Sequence, residues 1–122
     1  MLKLIASLAF LVRASLARHN ILDYGAVPDS DSLKDEKANA KAFYDAVVAA
    51  NSTETLADRE VYVPANMTFS MMAVDELDNW SNVVVTIDGT IKLSKRHHFW
   101  PLIEQGAIRD FFMFRHVQNV TF

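Results

Sequence analysis

The chain has 122 residues, no cysteine, and 12 Lys and Arg against 15 Asp and Glu, for a formal charge of −3. With 51% hydrophobic and 22% charged residues, it is neither a disordered acidic tail nor a basic nucleic-acid binder. The missing cysteines exclude a disulfide scaffold, a thiolate zinc site and a thiol nucleophile. The three glycines, Gly25, Gly89 and Gly106, cannot form a GxGxxG, Walker or GxSxG motif.

Met1-Leu2-Lys3 is a short positive start, and the apolar run Leu4 to Val12 follows it. A bilayer-spanning helix needs about 20 apolar residues, so this run is too short to span. Ser15-Leu16-Ala17 puts small residues at the −3 and −1 positions of a cleavage site. Residues 1–17 are therefore predicted to be a signal peptide, and residues 18–122 a secreted, extracellular chain with no membrane attachment after cleavage. Removing Lys3 and Arg13 takes the formal charge from −3 to −5. Such a chain is not steered towards polyanions by its net charge, though a local basic groove could still bind one. In a secreted chain, Asn51-Ser-Thr, Asn66-Met-Thr, Asn79-Trp-Ser and Asn119-Val-Thr fit the N-glycosylation pattern. Asn51 follows a predicted helix and reads as exposed, whereas Asn119 lies in a strand-like run.

Ile21 to Ala26 is a short apolar segment that stops at Gly25, and Val27 to Ser32 is turn material. Ser32 with Asp35 three residues on matches a helix-start pattern. A helix is predicted from about Lys34 to Ala50, because Ala38, Ala42, Phe43, Ala46, Val47 and Ala50 recur at three- and four-residue spacing. Lys34, Lys37, Lys41 and Asp45 lie mostly on its other face. Beyond Asn51-Ser52 the pattern turns to β. Val61–Val63, Met67–Met72, Val83–Ile87, Thr90–Leu93, Phe111–Phe114 and Val117–Phe122 are strand candidates. The valine runs at Val61 and Val83 lie 22 residues apart, which suits stacked coils. A β-hairpin turning at Asp88-Gly89 explains the strongest part equally well. The β-character of Val120-Thr121-Phe122, with no closing cap, predicts a chain cut in the middle of a fold.

The order of these pieces resembles the N-terminal part of glycoside hydrolase family 28, the polygalacturonase-like pectinases of the pectin-lyase-like superfamily. The residues that carry it are Asp23-Tyr24-Gly25-Ala26, the acidic turn Asp29-Ser30-Asp31, and a helix bearing Ala42-Phe43. Val61-Tyr62-Val63-Pro64, Asp88-Gly89-Thr90-Ile91, Trp100-Pro101 and Asn119-Val-Thr-Phe complete it. Pro28 and the Ser30–Lys34 stretch depart from the family's usual glycine-rich turn, and Asn66 stands where a glycine is common. The resemblance implies a mainly β fold, with residues 18–122 forming the N-terminal helical cap and first coils of a right-handed parallel β-helix. It also implies a parent activity of α-1,4-galacturonan hydrolysis with inversion, without a cofactor and with pectin as the polysaccharide partner. Inversion needs two carboxyls about 6.5–9.5 Å apart.

The family's Asn-Thr-Asp, Asp-Asp, Gly-His-Gly and Arg-Ile-Lys motifs are absent from the sequence. No residue is assigned as catalytic, cofactor-binding or metal-binding, and the chain alone is expected to be inactive. A non-catalytic carbohydrate-binding or structural fragment, and a small secreted α+β domain, are the alternatives. Asp29 and Asp31 suit a turn whose carboxylates cap the next helix. Asp75, Glu76 and Asp78 suit an exposed loop, and Asp110 is isolated. His97-His98, as strand neighbours, would point to opposite faces and could not share a metal ion. Lys95-Arg96-His97-His98, followed by Phe99-Trp100, reads as a cationic aromatic strip for a galacturonate carboxylate, or as an edge loop over a buried tryptophan. Met67, Met71 and Met72 read as core fillers beside the helix.

Overall fold

The computed structural model describes residues 18–122, so the expected signal peptide, residues 1–17, lies outside the described residues. The chain opens with β1 (His19–Asn20), and the Asn20 side chain accepts from Leu22 N to start the 3-10 turn Ile21–Tyr24. Gly25 ends that turn at φ 96°, a left-handed conformation that glycine adopts without steric cost.

The helix α1 spans Leu33–Asn51, one residue longer at each end than the spacing predicts. The Ser32 side chain accepts from Asp35 N, satisfying one of the orphan donors of the first turn. Its inward face buries Ala42, Phe43, Ala46, Val47 and Ala50 completely. Asn39 is also fully buried. Its Oδ1 accepts from Val27 N at 2.6 Å, while its Nδ2 donates to Val27 O at 3.1 Å and Ser70 O at 2.8 Å. One amide thus ties the turn before the helix to the strand beneath it, and its polar atoms are all partnered, as burial requires.

Six further strands follow: β2 (Glu60–Val63), β3 (Thr68–Met71), β4 (Leu77–Asp78), β5 (Val84–Ile87), β6 (Thr90–Leu93) and β7 (Phe114–Arg115). They pair only in parallel, in three sheets ordered β1-β2-β5, β3-β6 and β4-β7. β5 and β6 are not hydrogen-bonded to each other, which excludes a hairpin at Asp88-Gly89. Instead β5 pairs with β2 and β6 with β3. Gly89 makes this crossing possible. A Cβ there would stand 2.1 Å from Pro64 O and 2.8 Å from Met67 O, so backbone packs directly against backbone.

This architecture corrects the expected mainly β, right-handed parallel β-helix. The longest element is the 19-residue helix, and the strands are two to four residues long, in separate sheets of three, two and two. The constant period that stacked coils require is not kept. Glu60 pairs with Val84 and Thr68 with Thr90, whereas Leu77 pairs with Phe114. The longer offset arises because residues between β6 and β7 form 3-10 turns and an antiparallel Leu102–Ile108 bridge rather than another parallel layer. The 22-residue valine spacing is met in the β3–β6 register, but the Val61 and Val83 runs themselves pair with Val61 opposite Val85.

The core lies between α1 and the sheets. Val61, Val63, Phe69, Met71, Val74 and Val83 are fully buried against the helix face and Ile21, with Trp80 close by. Burial of each such side chain contributes about 1.5–3 kcal/mol. Met71 and Met72 are core residues, and Met67 packs partly against them.

Candidate functional site

An open groove of about 620 Å³ lies between the outer face of α1 and the segment that follows β6. Lys37, Lys41, Tyr44 and Asp45 line it from the helix, where three- and four-residue steps bring them to one face. Met72, Ala73 and Asp75 form its floor, and Phe99, Pro101 and Arg109 its far wall. Lys41 Nζ pairs with Asp45, and Arg109 Nη1 pairs with Asp75 at 3.0 Å while Nη2 donates to Val74 O at 3.0 Å. Three cations therefore face two carboxylates, and Phe99, 55% exposed, presents an aromatic ring beside them. Trp100 Nε1 donates to Arg109 O at 2.8 Å and holds that wall in place.

A second, smaller pocket of about 190 Å³ lies near the start of α1 and takes in Glu36, Ser70, Lys92, Lys95 and Arg96. The buried Glu36 carboxylate accepts from Ser94 Oγ at 2.7 Å and faces Arg96 Nε at 3.3 Å. Arg96 Nη2 also donates to Asp31 O at 3.0 Å. These contacts clasp the segment after β6 to the helix start. They partner a buried charge, as its burial demands.

The structure disperses the acidic residues noted in the sequence. Asp29 does not cap α1: its Oδ1 accepts from Thr68 N at 3.1 Å, and Asp29 N donates to Thr68 O at 2.8 Å. Asp35, not Asp31, receives the Ser30 hydroxyl. Asp75 and Glu76 pair with Arg109 and Arg115, and Asp78 Oδ1 lies 2.7 Å from His116 Nδ1. The hydrogen bond from His116 holds the Asp78 carboxyl below its ordinary range, and the Ser30 and Ser32 hydroxyls do the same for Asp35. Both shifts run opposite to what a proton-donating acid needs. Asp110 is exposed. His97 and His98 lie in the 3-10 turn His97–Phe99 rather than on a strand. No group of three or more His, Asp or Glu side chains suited to a metal ion is present among the described residues.

The Lys95–Trp100 run divides between the two sites. Arg96 serves the Glu36 clasp, Phe99 faces the groove, and Trp100 is half-buried. Spacing assigns Lys37, Lys41 and Asp45 only to the face of the helix opposite its apolar one, and it gives Tyr44 no place. The i, i+4, i+7 register of Lys37, Lys41 and Tyr44 was the available signal for a shared site, but the opposing wall comes from residues about 60 positions later in the chain. Of the four asparagines that fit the glycosylation pattern, Asn66 and Asn79 are exposed, Asn119 is exposed with its amide bonded to Asn82, and Asn51, expected to be exposed, is half-buried.

No helix among the described residues is long and apolar enough to cross a membrane. Comparison with protein-family models, with curated proteins and with solved structures found no match.

Proposed function

We propose that this chain is a non-catalytic part of a secreted, polygalacturonase-like protein and that it holds acidic polysaccharide of the galacturonan class without cleaving it. The observation that carries this reading is the groove beside α1. Lys37, Lys41 and Arg109 supply charge for a sugar carboxylate, the exposed Phe99 ring supplies a flat face for a pyranose, and Tyr44 adds a hydroxyl. The two carboxylates of the groove already face cations, Asp45 with Lys41 and Asp75 with Arg109. They therefore serve as fixed acceptors that position the cations rather than as a free acid and base.

The test is affinity electrophoresis of the chain through gels containing polygalacturonate, with a reducing-end assay run alongside. We expect retardation at low salt that fades as ionic strength rises. Removing two cations in Lys37→Ala/Lys41→Ala should weaken binding about tenfold, and no reducing ends should appear. Equal retardation by neutral dextran, or retention unchanged in the double variant, would overturn the binding role. Release of reducing ends that is lost in Asp45→Asn or Asp75→Asn would overturn the non-catalytic one.

A further inference from the structure

Four asparagines share the glycosylation pattern, and the fold gives two of them, Asn51 and Asn66, opposite surroundings. Asn51, the last residue of α1, is a hub. Its Oδ1 accepts from Ser81 N at 3.0 Å and from Arg59 Nη2 at 2.9 Å, and its Nδ2 donates to Asn79 O at 3.3 Å. Arg59 extends the hub by donating to Thr53 O at 2.7 Å, Ser81 O at 2.6 Å and Asn82 O at 3.3 Å. Even the hydroxyl of the same tripeptide is engaged, since Thr53 Oγ1 donates to Ala49 O at 2.9 Å and lies 3.1 Å from His19 Nε2. Asn66 is the opposite case. It sits in the exposed turn between β2 and β3 at φ 61°, a left-handed conformation that asparagine tolerates, and its side chain makes no hydrogen bond within the described residues.

We infer that Asn66 is a glycan acceptor of this chain and that Asn51 is a structural latch kept free of sugar. The inference rests on the reading of residues 1–17 as a secretory leader. In the transfer, Asn66 Nδ2 attacks the anomeric carbon of a lipid-pyrophosphate-linked oligosaccharide. A C–N bond forms, the C–O bond to pyrophosphate breaks, the lipid pyrophosphate leaves with the electron pair, and Nδ2 gives up one proton. At Asn66 the new sugar projects into solvent from a turn. At Asn51 the same step would place a pyranose on a nitrogen 3.3 Å from Asn79 O and beside the Arg59 guanidinium. A chain modified there would have to give up the contacts that join the helix end to the Asn79–Asn82 turn.

The experiment expresses the whole chain in a eukaryotic host in two forms, one with its own first 17 residues and one with a proven secretory leader in their place. Both carry a control acceptor tripeptide in a tag. Secreted protein is treated with glycan amidase in heavy-oxygen water, and labelled aspartates are mapped by mass spectrometry. We expect label at position 66 and none at position 51, loss of one glycan in Asn66→Gln, and an unchanged glycan pattern in Asn51→Gln. Label at position 51 in folded, secreted protein overturns the inference, as does an unlabelled position 66 when the control tripeptide is labelled. If only the form with the substituted leader is modified, the secretion reading fails while the site assignment stands. Unglycosylated bacterial protein tests the latch separately: Asn51→Ala should lower the melting midpoint by roughly 5 °C, and Asn66→Gly, which keeps the left-handed turn at no steric cost, should leave it nearly unchanged. Equal midpoints for the two variants would overturn the latch.

Discussion

Residues 18–94 and 95–122 are held in place by different physics. The first stretch contains α1, six of the seven strands and every buried side chain among the described residues. The second contains the two-residue strand β7, isolated bridges such as Ser81–Gln118 and Val84–Thr121, and the exposed apolar side chains Leu102, Ile103, Ile108 and Phe122. It is attached by half-buried rings that climb from Trp100 through Phe111 and Phe112 to Phe114, and by the pairs Arg109–Asp75, Arg115–Glu76 and His116–Asp78. Exposed ion pairs contribute little because water and salt screen them. Regular backbone pairing and burial coincide in the first stretch and are both scarce in the second, where less apolar area is removed from water. The candidate groove lies at the junction, with one wall from each stretch.

The sharpest way to break this comparison is to truncate one ring on each side. Phe43 is fully buried in α1 and also meets Phe112 at a ring distance of 5.1 Å, so Phe43→Ala should cost about 3–5 kcal/mol in urea unfolding. Phe122 is 61% exposed, and Phe122→Ala should cost about 1 kcal/mol or less. Equal losses would show that the second stretch belongs to the core after all. Next in size is Gly89→Ala. Its new methyl would overlap the Pro64 carbonyl, which cannot move without disturbing β2 and β3, so we expect a loss of about 2–3 kcal/mol by the same measurement. A neutral substitution would mean that the turn can swing outward.

The smallest effect concerns the polar attachment and is visible only through pH. The Asp78 carboxyl is held below its ordinary value of 3.8, first by the hydrogen bond from His116. A carboxylate whose folded value is depressed contributes its stabilisation above the unfolded value and loses it as pH falls through the folded one. Wild type should therefore be slightly more stable than Asp78→Asn near about pH 6, and the difference should vanish near about pH 2. Matched denaturation curves at the two pH values test this. A difference that persists in acid would point to packing rather than charge.

Local patterns in the chain were enough to place α1, because the helical period of Ala42, Phe43, Ala46 and Val47 and the Ser32 cap act over a few residues. The same holds for the β-character of Val61–Val63, Val83–Ile87 and Thr90–Leu93, since branched side chains declare a strand wherever it pairs. Which strands pair was not encoded locally. Asp88-Gly89 satisfies a hairpin and a crossing equally well, and the choice fell to the close approach of Gly89 to the Pro64 carbonyl. The expected coil period failed for a related reason. Strand propensity does not specify how many residues a connection consumes, and the segment between β6 and β7 takes up far more than the earlier ones.

Asn39, Arg59 and Arg109 gave no sequence signal as organising residues, for each draws its role from partners 6 to 35 positions away in the chain. Asn51 and Asn66 carry the same acceptor pattern in sequence and are separated only by their surroundings. Composition and periodicity report what a side chain can do. Only packing decides which groups lie within hydrogen-bonding distance, because that depends on contacts between parts of the chain that sequence order keeps apart.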